Sequence, residues 1–188
     1  MKYWMKSSET NMSDALSRKL NDRNQAAAGD NQERACRRLL IIGYGNPLRG
    51  DDAIGWQIAD QLAKVAGNST RVLAVHQLTP ELAEAIAKAD LVIFIDARYD
   101  GQPGIWTCET IRPDSTGSDA YTHYFTPVNL LNYASAVFDA NPTALLISVA
   151  GSSFDCSETL SPAVAAAVPE IVACICEWWN AETEKTHA

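Results

Sequence analysis

Hydrophobic residues are grouped in short runs from residue 38 to about residue 180, and two spacings alternate along the chain. Some runs are continuously apolar, a pattern typical of strands that are buried on both faces of a sheet. Between them, apolar side chains recur every three or four positions, as on one face of a helix. The predicted strands are residues 39–45, 71–77, 90–97 and 143–151, with a weakly alternating edge strand at 104–112. The predicted helices are residues 52–66, 79–89, 126–138 and 161–179.

Strands that alternate with helices predict an α/β fold with a mostly parallel sheet. We expect a three-layer α/β/α sandwich around a twisted sheet of about five strands. Thr79 and Thr126 precede two of the helices and are expected to cap them, and Pro169 is expected to kink the last helix. Because ligands of such sheets bind at the carboxyl ends of the strands, candidate residues are sought there.

The polar and apolar residues also suggest how the chain is divided. Residues 1–37 are rich in Ser, Asn, Asp, Gln and Arg, and they are interpreted as a flexible tail. Residues 38–182 are interpreted as one α/β domain, and residues 183–188 as a short C-terminal tail.

Charge and composition narrow the classes of function. The formal net charge of −8 argues against nucleic-acid binding, which depends on Lys and Arg, and equally against docking on anionic lipid. No apolar run reaches the roughly eighteen residues of a membrane span, and no secretory signal is recognisable. Five cysteines without framework spacing are read as reduced thiols, so we expect a cytoplasmic protein with no membrane partner.

The first predicted strand runs into the sequence IIGYGNPLRGDDAIG, residues 41–55. Glycines between a strand and a helix are typical of a phosphate-binding loop, but two aspartates at the helix start oppose an anion. We expect Asp51 to cap the helix and Asp52 to point across the rim as a ligand or an acid–base group. Gly43 and Gly45 allow a ligand or a peptide backbone to approach closely.

Further polar groups are predicted at the same edge of the sheet. Asp96 ends the third strand, His76 ends the second, and His123 precedes the helix at 126–138. Carboxylates and imidazoles are the usual ligands of a divalent transition metal. Each group also has a purely structural interpretation: the acids as caps of turns or helices, His123 as a solvated residue, and His76 as a tie between strand ends.

At these residues the chain resembles the hydrogenase maturation endopeptidases, over about residues 38–180. The matching segments are GYGNPLRGDDAIG (43–55), LVIFIDA (91–97) and THYFTPVNLL (122–131). The resemblance implies an α/β/α sandwich with a metal-binding triad of Asp52, Asp96 and His123. The first acid is glutamate in some members, and the aspartate here is one methylene shorter. His76 is not a ligand in that family and is kept as a substrate contact.

The resemblance also implies a reaction. The family removes a C-terminal extension from the large-subunit precursor of nickel–iron hydrogenases, and nickel already held by the precursor is the recognition element. Asp52 and Asp96 would be catalytic, and Gly43, Gly45, Asn46, Asp51 and His76 would contact the substrate. Either the metal activates the carbonyl or a bound water, or an aspartate acts as general base, and the sequence leaves both open. A divalent metal other than nickel is also compatible with the triad.

Three other functions fit parts of the sequence. A chaperone that binds nickel and the precursor without cutting it would use the same triad. A peptidyl-tRNA-hydrolase-like enzyme shares the GYGNP segment but needs a basic face, which the net charge of −8 opposes. A nucleotide-binding module lacks both the GxGxxG pattern and a Walker lysine.

Overall fold

The structure is a computed structural model, and it describes residues 38–113 and 125–187, with side chains up to residue 180. The tail predicted for residues 1–37 and the predicted ligand His123 lie outside the described residues. An α/β unit ends at Val172, within the last helix, and the rest of that helix belongs to a second unit that begins at Ala173.

A five-stranded sheet forms the centre of the α/β unit, with the strand order β2-β1-β3-β5-β4. Neighbouring strands are parallel except β4, which pairs antiparallel with β5 at one edge. The strands are β1 (Leu39–Tyr44), β2 (Thr70–Val75), β3 (Leu91–Arg98), β4 (Trp106–Ile111) and β5 (Thr143–Ala150). All five predicted strands are confirmed, including the edge position of β4.

In the part of the chain that the structure describes, four α-helices connect or follow the strands. They are α1 (Ile54–Val65), α2 (Leu82–Ala87), α3 (Pro127–Phe138) and α4 (Pro162–His187). Thr126 caps α3 as predicted, because its hydroxyl accepts a hydrogen bond from the Asn129 N–H at 3.2 Å. The prediction that Thr79 caps α2 is wrong: residues 79–82 form a turn in which the Leu82 N–H donates to the Thr79 carbonyl, and α2 begins after Glu81.

The helices cover the sheet on both faces, which confirms the predicted α/β/α sandwich. Leu40, Ile42, Val92 and Phe94 point to one face and pack with residues of α2 and α3. The alternate positions of β1 and β3 point to the opposite face, where Gly43 meets α1. On that second face, Trp106 of β4 donates a hydrogen bond from its indole to Glu170 of α4 at 3.3 Å. β1 and β3 are buried on both faces because they lie between two helical layers.

The last helix contains a long apolar segment. Within the described part of the chain, Pro162–Asn180 is long and apolar enough to cross a membrane, judged by length and composition alone, with a mean hydropathy of 1.3. A core helix of a globular domain passes the same test, and Val164, Val168 and Ile171 are buried in this one. α4 continues to His187, so residues 183–187 of the predicted tail are helical.

Candidate active site at the strand ends

The first turn of α1 lies directly on the ends of β1 and β3, because two glycines face each other there. A Cβ on Gly43 would collide with the Gly55 carbonyl and lie 2.9 Å from the Ala59 Cβ. A Cβ on Gly55 would lie 2.5 Å from the Ile95 carbonyl oxygen and 2.6 Å from that of Tyr44. Real Cβ atoms are not found so close to backbone atoms, so glycine is required at both positions. The contact places the turn that carries Asp52 above the strand ends.

The loop between β1 and α1 holds the side chain of Asp52. Gly45 has a φ of 133°, and a Cβ there would collide with the Asp52 carbonyl oxygen. The next residue, Asn46, donates its backbone N–H to Asp52 Oδ2 at 2.8 Å. The side chain of Asn46 in turn accepts from the Leu48 N–H at 2.9 Å. In the structure, Gly43, Gly45 and Asn46 shape the loop around the half-buried carboxylate of Asp52. Their contact with a substrate remains a prediction.

Asp96 lies at the end of β3 and is half-buried. Burial is the largest influence on its carboxyl group and raises its pKa to about 6; the negative charge of Asp52 acts in the same direction. Hydrogen bonds from the Tyr44 hydroxyl and from the Ala97 N–H, at 2.8 Å to Oδ1, limit the rise in pKa. The charge of Asp52 therefore acts on the carboxyl group of Asp96.

Tyr44 is the residue at this site that the sequence analysis missed. It follows Gly43, which is paired with Ile95 in the parallel register, so its neighbour on β3 is Asp96. Burial, followed by the charge of Asp96 and the hydrogen bond to it, raises the pKa of the Tyr44 phenol far above its usual range. Tyr44 is therefore a neutral hydrogen-bond donor at any physiological pH. The register between β1 and β3 is the feature from which the position of Tyr44 could have been predicted.

Asp51 has a different role from the one predicted. It is fully buried, and its carboxylate accepts hydrogen bonds from the backbone N–H groups of Ser152 (2.7 Å), Ser153 (3.0 Å) and Ser161 (2.7 Å). The hydroxyls of Ser152 and Ser161 add two more, at 3.3 and 2.9 Å. Burial alone would raise the pKa of Asp51, but these hydrogen bonds outweigh burial and hold the pKa below its usual value.

Two predictions for Asp51 are therefore corrected. α1 begins without a side-chain cap, and Ala53 occupies the capping position because a 3₁₀ turn at Gly50–Ala53 precedes the helix. The carboxylate of Asp51 also points into the protein, toward the segment between β5 and α4, so in this conformation it is not presented to a substrate. Asp52 is the member of the acidic pair at the rim.

The structure describes one of the two predicted histidines, His76. His76, at the end of β2, is exposed, and its ring meets the edge of the Trp56 ring at a centroid distance of 5.3 Å. Trp56 is fixed by a hydrogen bond from its indole to the Val75 carbonyl at 2.8 Å. Within residues 38–113 and 125–180, no group of three His, Cys, Asp or Glu is arranged to hold a metal ion. The structure thus brings together Asp52 and Asp96, while His123 lies outside the described residues.

A cavity of about 350 Å³ lies on the other side of the same loop. Pro47, Trp56 and Glu158 are among its lining residues, but neither Asp52 nor Asp96 is. The carboxylate pair is therefore not part of the lining of this cavity.

The arrangement supports two kinds of chemistry. Two neighbouring carboxylates, one of them with a pKa near neutrality, can bind a cation together with a third ligand. Such a pair can also transfer protons, because a general base works best when its pKa is near the working pH. Either chemistry fits hydrolysis of a bond brought to the rim.

Solved structures of similar fold include enzymes of hydrogenase maturation. The NiFe hydrogenase maturation protease HycI of Thermococcus kodakarensis is 25% identical and superposes with a TM-score of 0.64, over 77% of this chain and 93% of that one. The hydrogenase 2 maturation peptidase of a Thaumarchaeota archaeon is also 25% identical, with a TM-score of 0.59 over 75% and 97% of the two chains.

A third structure shares the fold at lower identity. The hydrogenase maturating endopeptidase HybD of E. coli is 23% identical and has a TM-score of 0.61, over 73% of this chain and 89% of that one. No protein-family model matches the sequence, and no curated protein matches it.

Proposed function

We propose, from the premise that this chain belongs to the hydrogenase maturation endopeptidase family, that it removes a C-terminal extension from the large-subunit precursor of a nickel–iron hydrogenase. The observation that carries the proposal is the Asp52–Asp96 pair, held at the strand ends by the Gly43–Gly55 contact. Along the chain, a strand, a glycine loop, an acidic pair and then Asp96 on a later strand follow one another. This order is the one by which the sequence resembles the family.

In this proposal nickel is part of the substrate. The metal, already bound by the precursor, would be engaged by carboxylate oxygens of Asp52 and Asp96, with His123 as the third ligand that the family resemblance implies. A cation favours the ionised form of Asp96 and so offsets the cost of ionising this half-buried group. Precursor without nickel would lack that attraction, and its peptide bond would not be held at the rim.

Asp96 is the proposed proton acceptor in the cleavage. Its pKa of about 6 makes it a base that is mostly ionised at neutral pH yet able to hold a proton. Water gives a proton to Asp96 as its oxygen bonds to the carbonyl carbon of the scissile bond. The C–N bond then breaks, and the proton leaves with the amine of the released peptide. Tyr44 would hold Asp96 in position throughout, because its phenol does not ionise.

The proposal is tested by incubating the purified protein with nickel-loaded and nickel-free precursor and measuring the products by mass spectrometry. Loss of one C-terminal peptide from the nickel-loaded precursor alone is the expected result. Asp96→Asn is the negative control, since its amide cannot accept the proton. His123→Ala should weaken binding of the nickel-loaded precursor. Cleavage that does not depend on nickel would remove the metal from the recognition step.

A chaperone that binds without cutting is the alternative that uses the same residues. It predicts nickel-dependent binding with no cleavage when the protein is in excess. The near-neutral pKa of Asp96 favours the peptidase, because a purely ligating carboxylate gains nothing from a raised pKa. A cytoplasmic location, where the precursor would be met before assembly, is part of the same proposal.

A further inference from the structure

Close along the chain to the two carboxylates, the exposed side chains of Arg49 and Tyr99 meet the half-buried ring of Phe154, and we call these three side chains the aromatic shelf. The rings of Tyr99 and Phe154 are stacked, with centroids 4.0 Å apart and planes inclined by 26°. Tyr99 is 72% exposed, so its ring is covered on one face only. A large aromatic ring presented to solvent in a fixed orientation is a common feature of protein-binding surfaces.

The two rings of the shelf are held in place by contacts with their neighbours. The ring of Phe154 packs against Gly151, where a Cβ would be 2.6 Å from the ring. The guanidinium of Arg49 donates from Nη2 to the Tyr99 hydroxyl at 3.3 Å and from Nε to the Phe154 carbonyl at 3.4 Å. Because these contacts fix both rings before anything binds, a partner would lose little entropy in ordering them.

The position of the shelf links it to the proposed active site. Arg49 precedes Asp52 by three residues, and Tyr99 follows Asp96 by three residues. Three residues of chain span at most about 10 Å, so a peptide lying across the carboxylates can reach the shelf with its next three or four residues. A short segment of substrate can therefore contact the shelf and the carboxylates at once.

Charge also distinguishes the shelf from its surroundings. Between residues 38 and 180, leaving out 114–124, no carboxylate forms an ion pair with Arg49. The other arginine at this rim, Arg98, is held against the sheet by hydrogen bonds to Thr107 and to the Ser148 and Asp100 carbonyls. Arg49 is thus an exposed positive charge, three residues before Asp52 of the carboxylate pair.

We propose that the aromatic shelf holds a stretch of extended polypeptide of the hydrogenase large-subunit precursor, next to the bond that is cut. This inference rests on the proposed function. An apolar or aromatic side chain of the substrate packs on the free face of Tyr99. The guanidinium of Arg49 binds a backbone carbonyl or carboxylate oxygen of the same segment. The shelf then determines the position of the peptide and leaves the chemistry to the carboxylates.

The test compares steady-state cleavage of nickel-loaded precursor by the unaltered protein and by Tyr99→Ala, Arg49→Gln and Phe138→Ala. Phe138 is the matched control, because it is an exposed ring (44%) at the last residue of α3 and no part of the site. We expect Tyr99→Ala to raise KM about ten-fold, as for loss of an aromatic hot spot, while kcat changes less than about two-fold. Arg49→Gln should raise KM as well, and Phe138→Ala should change neither constant.

Binding to uncut precursor gives a second readout, measured in an Asp96→Asn background with and without Tyr99→Ala. Weaker binding with Tyr99→Ala supports the shelf, and thermal melting of each variant excludes unfolding as the cause. If the unaltered protein cleaves, but both shelf variants keep its KM and Tyr99→Ala keeps its binding, the proposal that the shelf holds the substrate is wrong. The proposed function then stands. If the unaltered protein neither cleaves nor binds the precursor, the proposed function and the shelf both fall.

Discussion

The phenol of Tyr44, the last residue of β1, acts as a hydrogen-bond donor to the carboxylate of Asp96 on the neighbouring parallel strand β3. The tyrosine is half-buried and remains neutral, so the bond persists when Asp96 is ionised. It opposes the effect of burial on Asp96 and keeps the pKa of that carboxyl near 6 instead of higher. A residue of the first strand therefore adjusts the acidity of a residue of the third.

Tyr44→Phe should raise the pKa of Asp96 further, because the hydrogen bond is lost while burial is kept. At neutral pH a smaller fraction of Asp96 is then ionised, and kcat/KM should fall several-fold, with the acidic limb of the pH profile moved to higher pH. The measurement is kcat/KM for precursor cleavage between pH 5 and 8, and Tyr133→Phe on α3 is the control. An unchanged acidic limb would mean that another group controls the profile.

Asp96 should also make stability depend on pH in a definite direction. Its pKa is raised in the folded protein above the value of an unfolded aspartate, so folding favours the neutral carboxyl. The resulting stabilisation is complete below about pH 4 and is lost as pH rises through about 6. Asp96→Asn should therefore be more stable than the unaltered protein at pH 7.5, by roughly 1–3 kcal/mol, and should show little gain at pH 4.

Urea unfolding at pH 4 and pH 7.5, without metal or precursor, measures this difference. Asp60→Asn is the matched control, since Asp60 is exposed and its ion pair with Lys64 lies on the surface of α1. An Asp96→Asn variant that is equally stabilised at both values of pH would show that the raised pKa is not the cause.

Asp51→Asn should destabilise the fold, although it changes only one atom. The carboxylate accepts from five N–H and O–H donors, and an amide NH₂ would face some of them with no acceptor. We expect a loss of about 2–4 kcal/mol in the free energy of unfolding, compared with less than about 0.5 kcal/mol for the exposed Asp155→Asn.

Asp52→Asn should show the reverse pattern. It should abolish cleavage and leave the free energy of unfolding nearly unchanged.

Gly55→Ala should separate α1 from the sheet. The added methyl group would overlap the Ile95 and Tyr44 backbones, neither of which can move without distorting β1 or β3. We expect a loss of about 2–4 kcal/mol in stability together with lost activity. Gly67→Ala is the control, because a Cβ there meets no atom within 4 Å. A stable and active Gly55→Ala protein would contradict the close packing of α1 on the strand ends.

The sequence predicted the sheet well and the site only in part. Runs such as 39–43 and 91–95 are apolar throughout because both faces of β1 and β3 are covered, and that local property is visible in the sequence. The start of α2 was placed too early, since a threonine followed by proline begins either a helix or a turn. In this chain the hydrogen bond from Leu82 to Thr79 closes a turn.

The role of Asp51 was hidden for a different reason. Its hydrogen-bond partners are 101 to 110 residues away along the chain, and no local pattern links an aspartate at a helix start to serines beyond the fifth strand. Tyr44 was missed because its relation to Asp96 depends on strand register. Asp52 and Asp96 were predicted because both lie near strand ends of one parallel sheet, and their catalytic role stays a prediction.

The bonds from the Gly50–Ala53 turn to the segment after β5 also bear on the order of folding. The Gly50 N–H donates to the Ser157 carbonyl and the Asp51 N–H to that of Ser153, in addition to the bonds of the Asp51 side chain. These contacts join parts of the chain about a hundred residues apart, and such contacts form late in folding. A nascent chain that ends before Ser152 lacks them all. We therefore expect the carboxylate pair to be correctly placed only after most of the polypeptide has left the ribosome, so that the incomplete protein cannot cut during its own synthesis.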